Sequence, residues 1–220
     1  MERHFQRDLE QLKANVIKMG SAVEQNLIDA LDAVMHNDSV RAARVIAEDG
    51  KINQFEILID NGVVDILALQ QPVASDLRLI LAIQKINNDL ERIGDHAVNI
   101  AESALGLIET PQDEPLLEIP SMAQIAKEMF QQALDSFIHL NPQLARSVLE
   151  SDDRMDALNR GMNAHVIKLI KKDLKSVEGG LQLIRISRNL ERIADLTTNI
   201  AEEVIFHTQA RVVKHHAEEK

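Results

Sequence analysis

Apolar residues recur three and four positions apart along most of the chain, the spacing that places them on one face of an α-helix. Short polar segments interrupt this pattern, and a pair of glycines at 179 and 180 marks the last interruption. The predicted helices cover residues 5–35, 39–69, 74–107, 122–138, 142–174 and 180–208. The sequence therefore predicts an all-α protein with three helices in each half.

Residues that start helices occur at several of the interruptions. The segment His36-Asn37-Asp38-Ser39 offers side-chain oxygens to the start of the second helix, and Asn141 precedes Pro142 at the start of the fifth. Ser121 and Gln124 have the spacing of a capping box, which predicts that the fourth helix begins there.

The third predicted helix of each half carries a sustained heptad seam of apolar residues. In the first half this seam consists of Leu79, Ile83, Ile86, Leu90, Ile93, Ala97 and Ile100. In the second half it consists of Leu183, Ile186, Leu190, Ile193, Thr197, Ile200 and Val204. Such seams predict a three-helix bundle in each half and two bundles in tandem. A single six-helix bundle is the alternative.

The two halves repeat each other. Leu-Glu-Arg-Ile-Gly-Asp at 90–95 recurs as Leu-Glu-Arg-Ile-Ala-Asp at 190–195, and Asn-Ile-Ala-Glu at 99–102 recurs at 199–202. A weaker match at an offset of 103 relates the second helix to the fifth. Three prolines fall within ten residues between the repeats. We therefore predict a first repeat at 1–110, a Pro-rich linker at 111–120, a second repeat at 121–208 and a polar tail at 209–220.

Composition narrows the class of function. The 220 residues include no Cys, Trp or Tyr and only five Phe, and the formal net charge is −11. The lack of Cys excludes disulfide frameworks, thiolate metal sites and Cys nucleophiles. The acidic charge and the scarcity of aromatic rings argue against nucleic acid as a partner. No apolar run reaches 18 residues and the N-terminus is polar, so we expect a cytoplasmic protein.

Acidic residues at i and i+4 recur on a polar face of the third helices. At 100° per residue, Glu91 and Asp95 lie roughly 110–170° from the apolar seam, and Glu191 and Asp195 repeat this placement. Two carboxylates at this spacing repel each other unless a cation lies between them. Oxygen ligands without Cys suit Mg, Mn, Ca or ferric iron better than structural zinc.

The motifs at 88–97 and 188–195, together with the tandem layout, resemble the PhoU family of bacterial phosphate-homeostasis regulators over essentially the whole chain. The resemblance implies two three-helix bundles in which two helices of each repeat bind metal through Glu/Asp-x-x-x-Asp motifs. It assigns as ligands Asp49, Asn53, Glu91 and Asp95 in the first repeat and Asp152, Asp156, Glu191 and Asp195 in the second. Asn53 departs from the pattern, because an amide replaces a carboxylate, so the first site is expected to be weaker. The metal, among Mg, Mn, Fe and Zn, is not specified.

The resemblance also implies a regulatory function and no catalysis. Family members repress the phosphate-starvation response and restrain phosphate uptake, acting with the ATPase subunit of the phosphate ABC transporter and a phosphate-sensing histidine kinase. They are often homodimers, and they reach the membrane only through their partners. In agreement, the sequence has no GxxxxGK loop, no dinucleotide fingerprint and no nucleophile–base constellation.

Other interpretations of the residues stay open. A metal-dependent phosphoester hydrolase could use the same carboxylates, and an Arg–carboxylate network could explain the doubled motif structurally. A ferritin-like di-iron bundle is disfavoured, because no Glu-x-x-His occurs.

Several polar residues outside the motif give further expectations. His96 is expected at a surface or an interface. Glu203 and His207, with His215 and His216, could bind a transition metal, but a frayed polar tail is the favoured interpretation. A basic cluster at the end of the fifth helix fits either stabilisation of the helix C-terminus or contact with lipid head groups or an acidic partner. This cluster consists of Lys168, Lys171, Lys172 and Lys175.

Overall fold

Six long helices make up the protein in the computed structural model, which describes residues 2–110 and 116–211. They are α1 (Glu2–His36), α2 (Ser39–Gln70), α3 (Ala74–Glu109), α4 (Ile119–Ile138), α5 (Pro142–Lys172) and α6 (Val177–Gln209), with a 3₁₀ turn at Leu174–Ser176. In each half the three helices all pack against one another. The prediction of an all-α tandem bundle is confirmed.

Two of the predicted helix starts are confirmed by hydrogen bonds. Asp38 Oδ1 accepts from Arg41 N at 2.9 Å, and Asn141 Oδ1 accepts from Gln143 N at 3.0 Å, directly before Pro142. Each bond satisfies one of the amide groups that a helix leaves free in its first turn.

Two other predicted boundaries are wrong. α4 begins at Ile119 and not at Ser121, because proline is tolerated in the first turn and Pro120 therefore lies inside the helix. The Gln124 side chain donates to Glu128 Oε1 at 2.6 Å instead of closing a capping box. α6 begins at Val177, so the paired glycines lie in its first turn, and the break lies at Asp173, whose Oδ1 accepts from Lys175 N. Residues 111–115 of the predicted linker lie outside the described residues.

The heptad seams of α3 and α6 are buried at every predicted position. They belong to one hydrophobic core that continues from the first bundle into the second. The two bundles therefore remain distinct in their helix packing but share a single interior.

The bundles meet along α3 and α6, with a smaller contact between α1 and α4. Lys85 near the start of α3 contacts Glu203 near the end of α6, whereas Glu102 near the end of α3 contacts Arg185 near the start of α6. The two helices consequently run antiparallel. In the middle of this interface His96 Nδ1 donates to Asn189 Oδ1 at 2.8 Å, which confirms the expected interface position of that histidine.

Across residues 2–110 and 116–211, no helix combines the length and the apolar content that crossing a membrane requires.

Candidate metal centres

The predicted carboxylates come together at two places, each between the second and third helix of one bundle. We call Asp49, Asn53, Glu56, Glu91 and Asp95 cluster one, and Asp152, Asp156, Glu191 and Asp195 cluster two. In the first bundle the charge of Asp49 acts on both acidic residues of α3, which places the predicted α2 and α3 residues side by side. In the second bundle the charges of α5 and α6 act on one another in the same way.

Close packing of α2 on α3 brings the first cluster together. Gly94 lies within the acidic motif and faces Ile52 of α2. A Cβ at position 94 would lie 2.9 Å from Ile52 Cδ1, so only glycine permits this approach without a shift of the isoleucine. The glycine of the motif therefore lets the Ile52 side chain of α2 pack closely against the backbone of α3.

Cluster one contains polar oxygens whose hydrogen-bonding capacity is unused. Asn53 Nδ2 donates to Asp49 Oδ2 at 3.0 Å. Asp49 Oδ1 and Asn53 Oδ1 are both buried and have no hydrogen-bond partner among the described residues. Buried oxygens without a donor are costly, so this pair is suited to a ligand that accepts their lone pairs.

The acidic residues of cluster one also destabilise one another's charged forms. Burial raises the pKa of Glu91, and the charges of Asp95, Glu56 and Asp49 raise it further. Burial and the charge of Asp49 raise the pKa of Asp95. Both effects disfavour ionisation, which a nearby cation would favour.

Glu56 is a member of this cluster that the sequence analysis missed. Burial raises the pKa of Glu56, as do the charges of Asp60 and Asp95. The signal was present, because Glu56 follows Asp49 and Asn53 at the i+7 position of one helix face. At the equivalent place in the second repeat, Asn159 Oδ1 accepts from Ser187 Oγ at 2.6 Å. Each cluster thus has four carboxylates, and the first compensates the amide at 53 with an acid one turn later.

The largest rise in the pKa of a single carboxyl group occurs in cluster two. The pKa of Asp152 is raised from 3.8 to about 6 by burial and by the charges of Asp195 and Asp156, with smaller contributions from its other acidic neighbours. Burial and the charge of Asp195 also raise the pKa of Glu191.

Arginine side chains offset part of the negative charge of cluster two. Arg192 Nη1 lies 3.0 Å from Asp195 Oδ2, and its Nε lies 3.6 Å from Glu191 Oε2. Arg160 Nη1 lies 3.4 Å from Asp156 Oδ2. These ion pairs form within one helix and do not join α5 to α6, so they provide no link between helices of the kind that a structural arginine network requires.

The arrangement supplies oxygen ligands but not a closed coordination site. In the described part of the chain, no three acidic or histidine side chains converge on a point where one ion could sit. Carboxylate and amide oxygens are ligands for hard cations such as Mg, Mn or ferric iron. The residues present fit such cations chemically, but holding one ion would require their side chains to rotate towards each other.

Two residues assigned to a frayed tail lie in ordered, buried structure instead, so that expectation is wrong for them. Glu203 is 2% exposed, and both of its oxygens accept from Lys85 Nζ, at 2.9 and 3.0 Å. His207 is half-buried, and burial lowers its pKa, as do the charges of Lys13 and Arg78. α6 continues to Gln209, and Glu203 and Phe206 near its end contact Lys85 of the other bundle. His215 and His216 lie outside the described residues.

Comparison with known proteins gives matches over both repeats. A family model described as the PhoU domain matches residues 16–104 and again 119–204, and each match contains one copy of the acidic motif. The chain is 37% identical over 215 residues to the "Phosphate-specific transport system accessory protein PhoU homolog" of Aquifex aeolicus, covering 97% of each chain. It is 33% identical over 211 residues to the corresponding accessory protein of Edwardsiella tarda, covering 96% of this chain and 87% of that protein.

Solved structures of PhoU proteins have the same fold as this chain. The crystal structure of PhoU from Pseudomonas aeruginosa superposes with a TM-score of 0.92 at 36% identity, over 94% of this chain and all of that one. The doubled acidic motif, the tandem bundles and the near full-length matches agree, and the chain belongs to the PhoU family.

Proposed function

We propose that this protein is a cytoplasmic regulator of phosphate homeostasis. It represses the phosphate-starvation response and phosphate uptake by linking the ATPase subunit of the phosphate ABC transporter to a phosphate-sensing histidine kinase, and it acts as a homodimer. The observation that carries the proposal is the match, over nearly the whole chain, to proteins named as accessory proteins of the phosphate-specific transport system. The transporter and kinase are the membrane-bound partners, so the protein itself needs no membrane anchor.

The carboxylate clusters are the proposed metal-binding sites of this regulator. Four carboxylates in each cluster, the raised pKa values of Glu91 and Asp152, and the unpartnered oxygens of Asp49 and Asn53 support metal binding. When bound, a cation supplies the positive charge that the clusters lack. The residues of α2 and α3, and those of α5 and α6, would then hold their helices together at the outer surface of each bundle.

An adaptor fits the surroundings of the clusters better than a phosphoester hydrolase does. A hydrolase needs a base placed to activate water beside the metal. His96 follows Asp95 in the chain, but its Nδ1 donates to Asn189 across the bundle interface. The histidine next to the motif therefore forms a structural hydrogen bond between the bundles and is not directed towards the cluster as a base.

Affinity capture from gently solubilised native cells, grown in high and in low phosphate, tests the adaptor. We expect the transporter ATPase or the sensor kinase to be recovered with the wild-type protein. The variant Glu191→Gln with Asp195→Asn should lose metal from cluster two, and chelation should then change its melting temperature less than that of the wild type. Glu128→Gln with Glu150→Gln, at two exposed positions outside the clusters, is the matched control.

Recovery of neither partner in either condition would contradict the adaptor, and a screen of phosphoesters with the metal-loaded protein would then test the hydrolase. Unchanged metal content in the Glu191→Gln and Asp195→Asn variant would refute the assignment of cluster two.

A further inference from the structure

The first bundle has an open groove between the first turns of α1 and the last turns of α2. We call it the α1–α2 groove, and it is lined by Asp8, Leu12, Leu58, Gly62, Asp65 and Leu69 among others. Its volume is about 350 Å³. We infer that it binds the basic end of α5 from a second copy of this chain, an interface that rests on the homodimer proposed above.

The groove combines an apolar surface with an acidic rim. Leu58 is 50% exposed and Leu69 is 76% exposed, although both lie beside a well-formed core. Asp8 and Asp65 stand on opposite walls, on α1 and α2. Apolar side chains framed by carboxylates fit a helix that carries both apolar and basic residues.

Gly62 lets Leu12 of α1 approach the backbone of α2 closely in the groove. A Cβ at this position would lie 3.1 Å from Leu12 Cδ1, so a side chain there would displace the leucine and change the shape of the groove.

The residues that line the groove differ from those at the equivalent positions of the second repeat. At the offset of 103 that relates α2 to α5, Gly62 corresponds to His165, whose ring Nδ1 contacts Glu118 Oε1. Asp65 corresponds to Lys168, and Leu69 corresponds to Lys172. The same place in the second bundle thus carries a histidine where the first has a glycine, and it carries basic residues where the first has acidic and apolar ones.

The complementary surface is therefore present on the same chain. The end of α5 and the following turn carry four lysines, all exposed: Lys168, Lys171, Lys172 and Lys175. Beside them, Ile167 is 52% exposed and Leu174 is 79% exposed. We call these six residues the α5 patch. Its charge and apolar content match those of the groove, and attraction between such surfaces directs which faces associate.

A single chain cannot make this contact with itself. α2 ends where α3 begins, and α5 ends where α6 begins. Because α3 and α6 run antiparallel, those two starting points lie at opposite ends of an interface whose helices are about 50 Å long. The groove of one copy can therefore be filled only by the patch of another, either reciprocally in a pair or head to tail.

Sedimentation equilibrium over a range of protein concentrations tests this interface with two charge-reversed variants. One reverses the groove (Asp8→Lys with Asp65→Lys), and the other reverses the patch (Lys168→Glu with Lys171→Glu). We expect each variant to self-associate at least tenfold more weakly than the wild type. An equimolar mixture should recover association, because each altered surface then meets a partner of opposite charge. Glu10→Lys with Glu150→Lys changes the charge as the groove variant does, at exposed sites outside both surfaces, and should associate normally.

The possible outcomes test the proposed interface and the proposed homodimer separately. A wild-type protein that stays monomeric overturns both. A wild-type dimer that neither reversal weakens, or whose reversed variants do not associate when mixed, overturns the interface and leaves the homodimer. If a variant fails to fold, the salt dependence of wild-type association decides, because this interface must weaken as salt rises. Binding to phosphatidylserine vesicles that the patch reversal abolishes, with self-association unchanged, would assign the lysines to lipid and overturn the interface.

Discussion

Asp152 shows what crowding carboxylates does to a single residue. Its pKa of about 6, against an ordinary 3.8, means that the folded protein holds this proton more tightly than the unfolded chain does. Protonation of Asp152 therefore stabilises the folded protein relative to the unfolded chain. This stabilisation has its full value below pH 4 and is lost as the pH rises through about 6. For a half-exposed carboxylate screened by solvent, we take this contribution as about 1 kcal/mol.

Asp152→Asn should remove this effect in the metal-free protein. We expect the free energy of unfolding to rise by about 1 kcal/mol at pH 7.5 and to change little at pH 4, because only at the higher pH is the native carboxylate ionised. Urea unfolding at both pH values, with chelator present, gives the comparison. Glu150→Gln, an exposed neighbour on α5, should have no effect at either pH, and an equal gain for Asp152→Asn at both would contradict the prediction.

Glu56 gives a second prediction at this scale, since it supplies the fourth carboxylate of cluster one. Glu56→Gln should lower the pKa of Glu91 in the metal-free protein, because Glu56 is among the charges that raise it. It should also weaken cation binding at cluster one by about tenfold, since affinity for hard cations depends on the number of charged ligands. NMR titration and calorimetry measure the two effects. Glu48→Gln on the same helix is the control, and a variant with unchanged Glu91 would show that Glu56 lies outside the cluster.

Helices were the most predictable level of this structure. The heptad seams, a cap within residues 36–39 and the Asn141–Pro142 start all follow from the local sequence, and the structure confirms them, with Asp38 as the cap. The wrong boundaries at Ser121 and Gly179 arose where a helix continued through residues that often stop one. Packing between helices was harder to predict from the sequence, because the close contact of Gly94 with Ile52 joins residues far apart in the chain.

That contact predicts opposite effects for two glycine substitutions. Gly94→Leu should destabilise the protein by about 2 kcal/mol, because the new side chain overfills the seam between α2 and α3. Gly50→Ala, in an exposed part of α2 with nothing within 4 Å, should stabilise it by about 0.5–1 kcal/mol through helix propensity alone. Chemical unfolding measures both. Equal effects of the two changes would mean that interhelix packing at Gly94 is unimportant.

The contact between bundles is a property of the whole molecule that the sequence did not reveal. Glu203 was expected in a frayed tail, and the duplication gave no signal against this, because the corresponding residue of the first repeat is Ser103. Similarly, nothing in the periodicity specified that α3 and α6 run antiparallel. The residues on α2 and α5 were assigned as ligands only through family resemblance. Glu56 was missed, although it continues their helix face, because the second repeat has Asn159 at that place and the duplication did not mark it.

Lys85 tests how strongly the two bundles depend on each other. Lys85→Met should destabilise the protein by about 2–3 kcal/mol, because it leaves the carboxylate of Glu203 buried without its main cation. Adding Glu203→Leu should restore most of the loss, since the charge itself is then removed. Thermal unfolding of the single and double variants measures this, and a single variant as stable as the wild type would contradict it.

The antiparallel contact of α3 with α6 has a consequence for how such a molecule can arise and change. Equivalent helices that pack antiparallel are the arrangement of two identical subunits related by a twofold axis. Lys85 and Arg185 are equivalent positions on either side of such an axis, and their partners Glu203 and Glu102 lie one residue out of register with each other. The chain is thus built like a symmetric dimer whose subunits have been joined by the segment between α3 and α4. Joining removes the requirement that both subunits be identical, so one half can acquire a feature while the other keeps the ancestral surface.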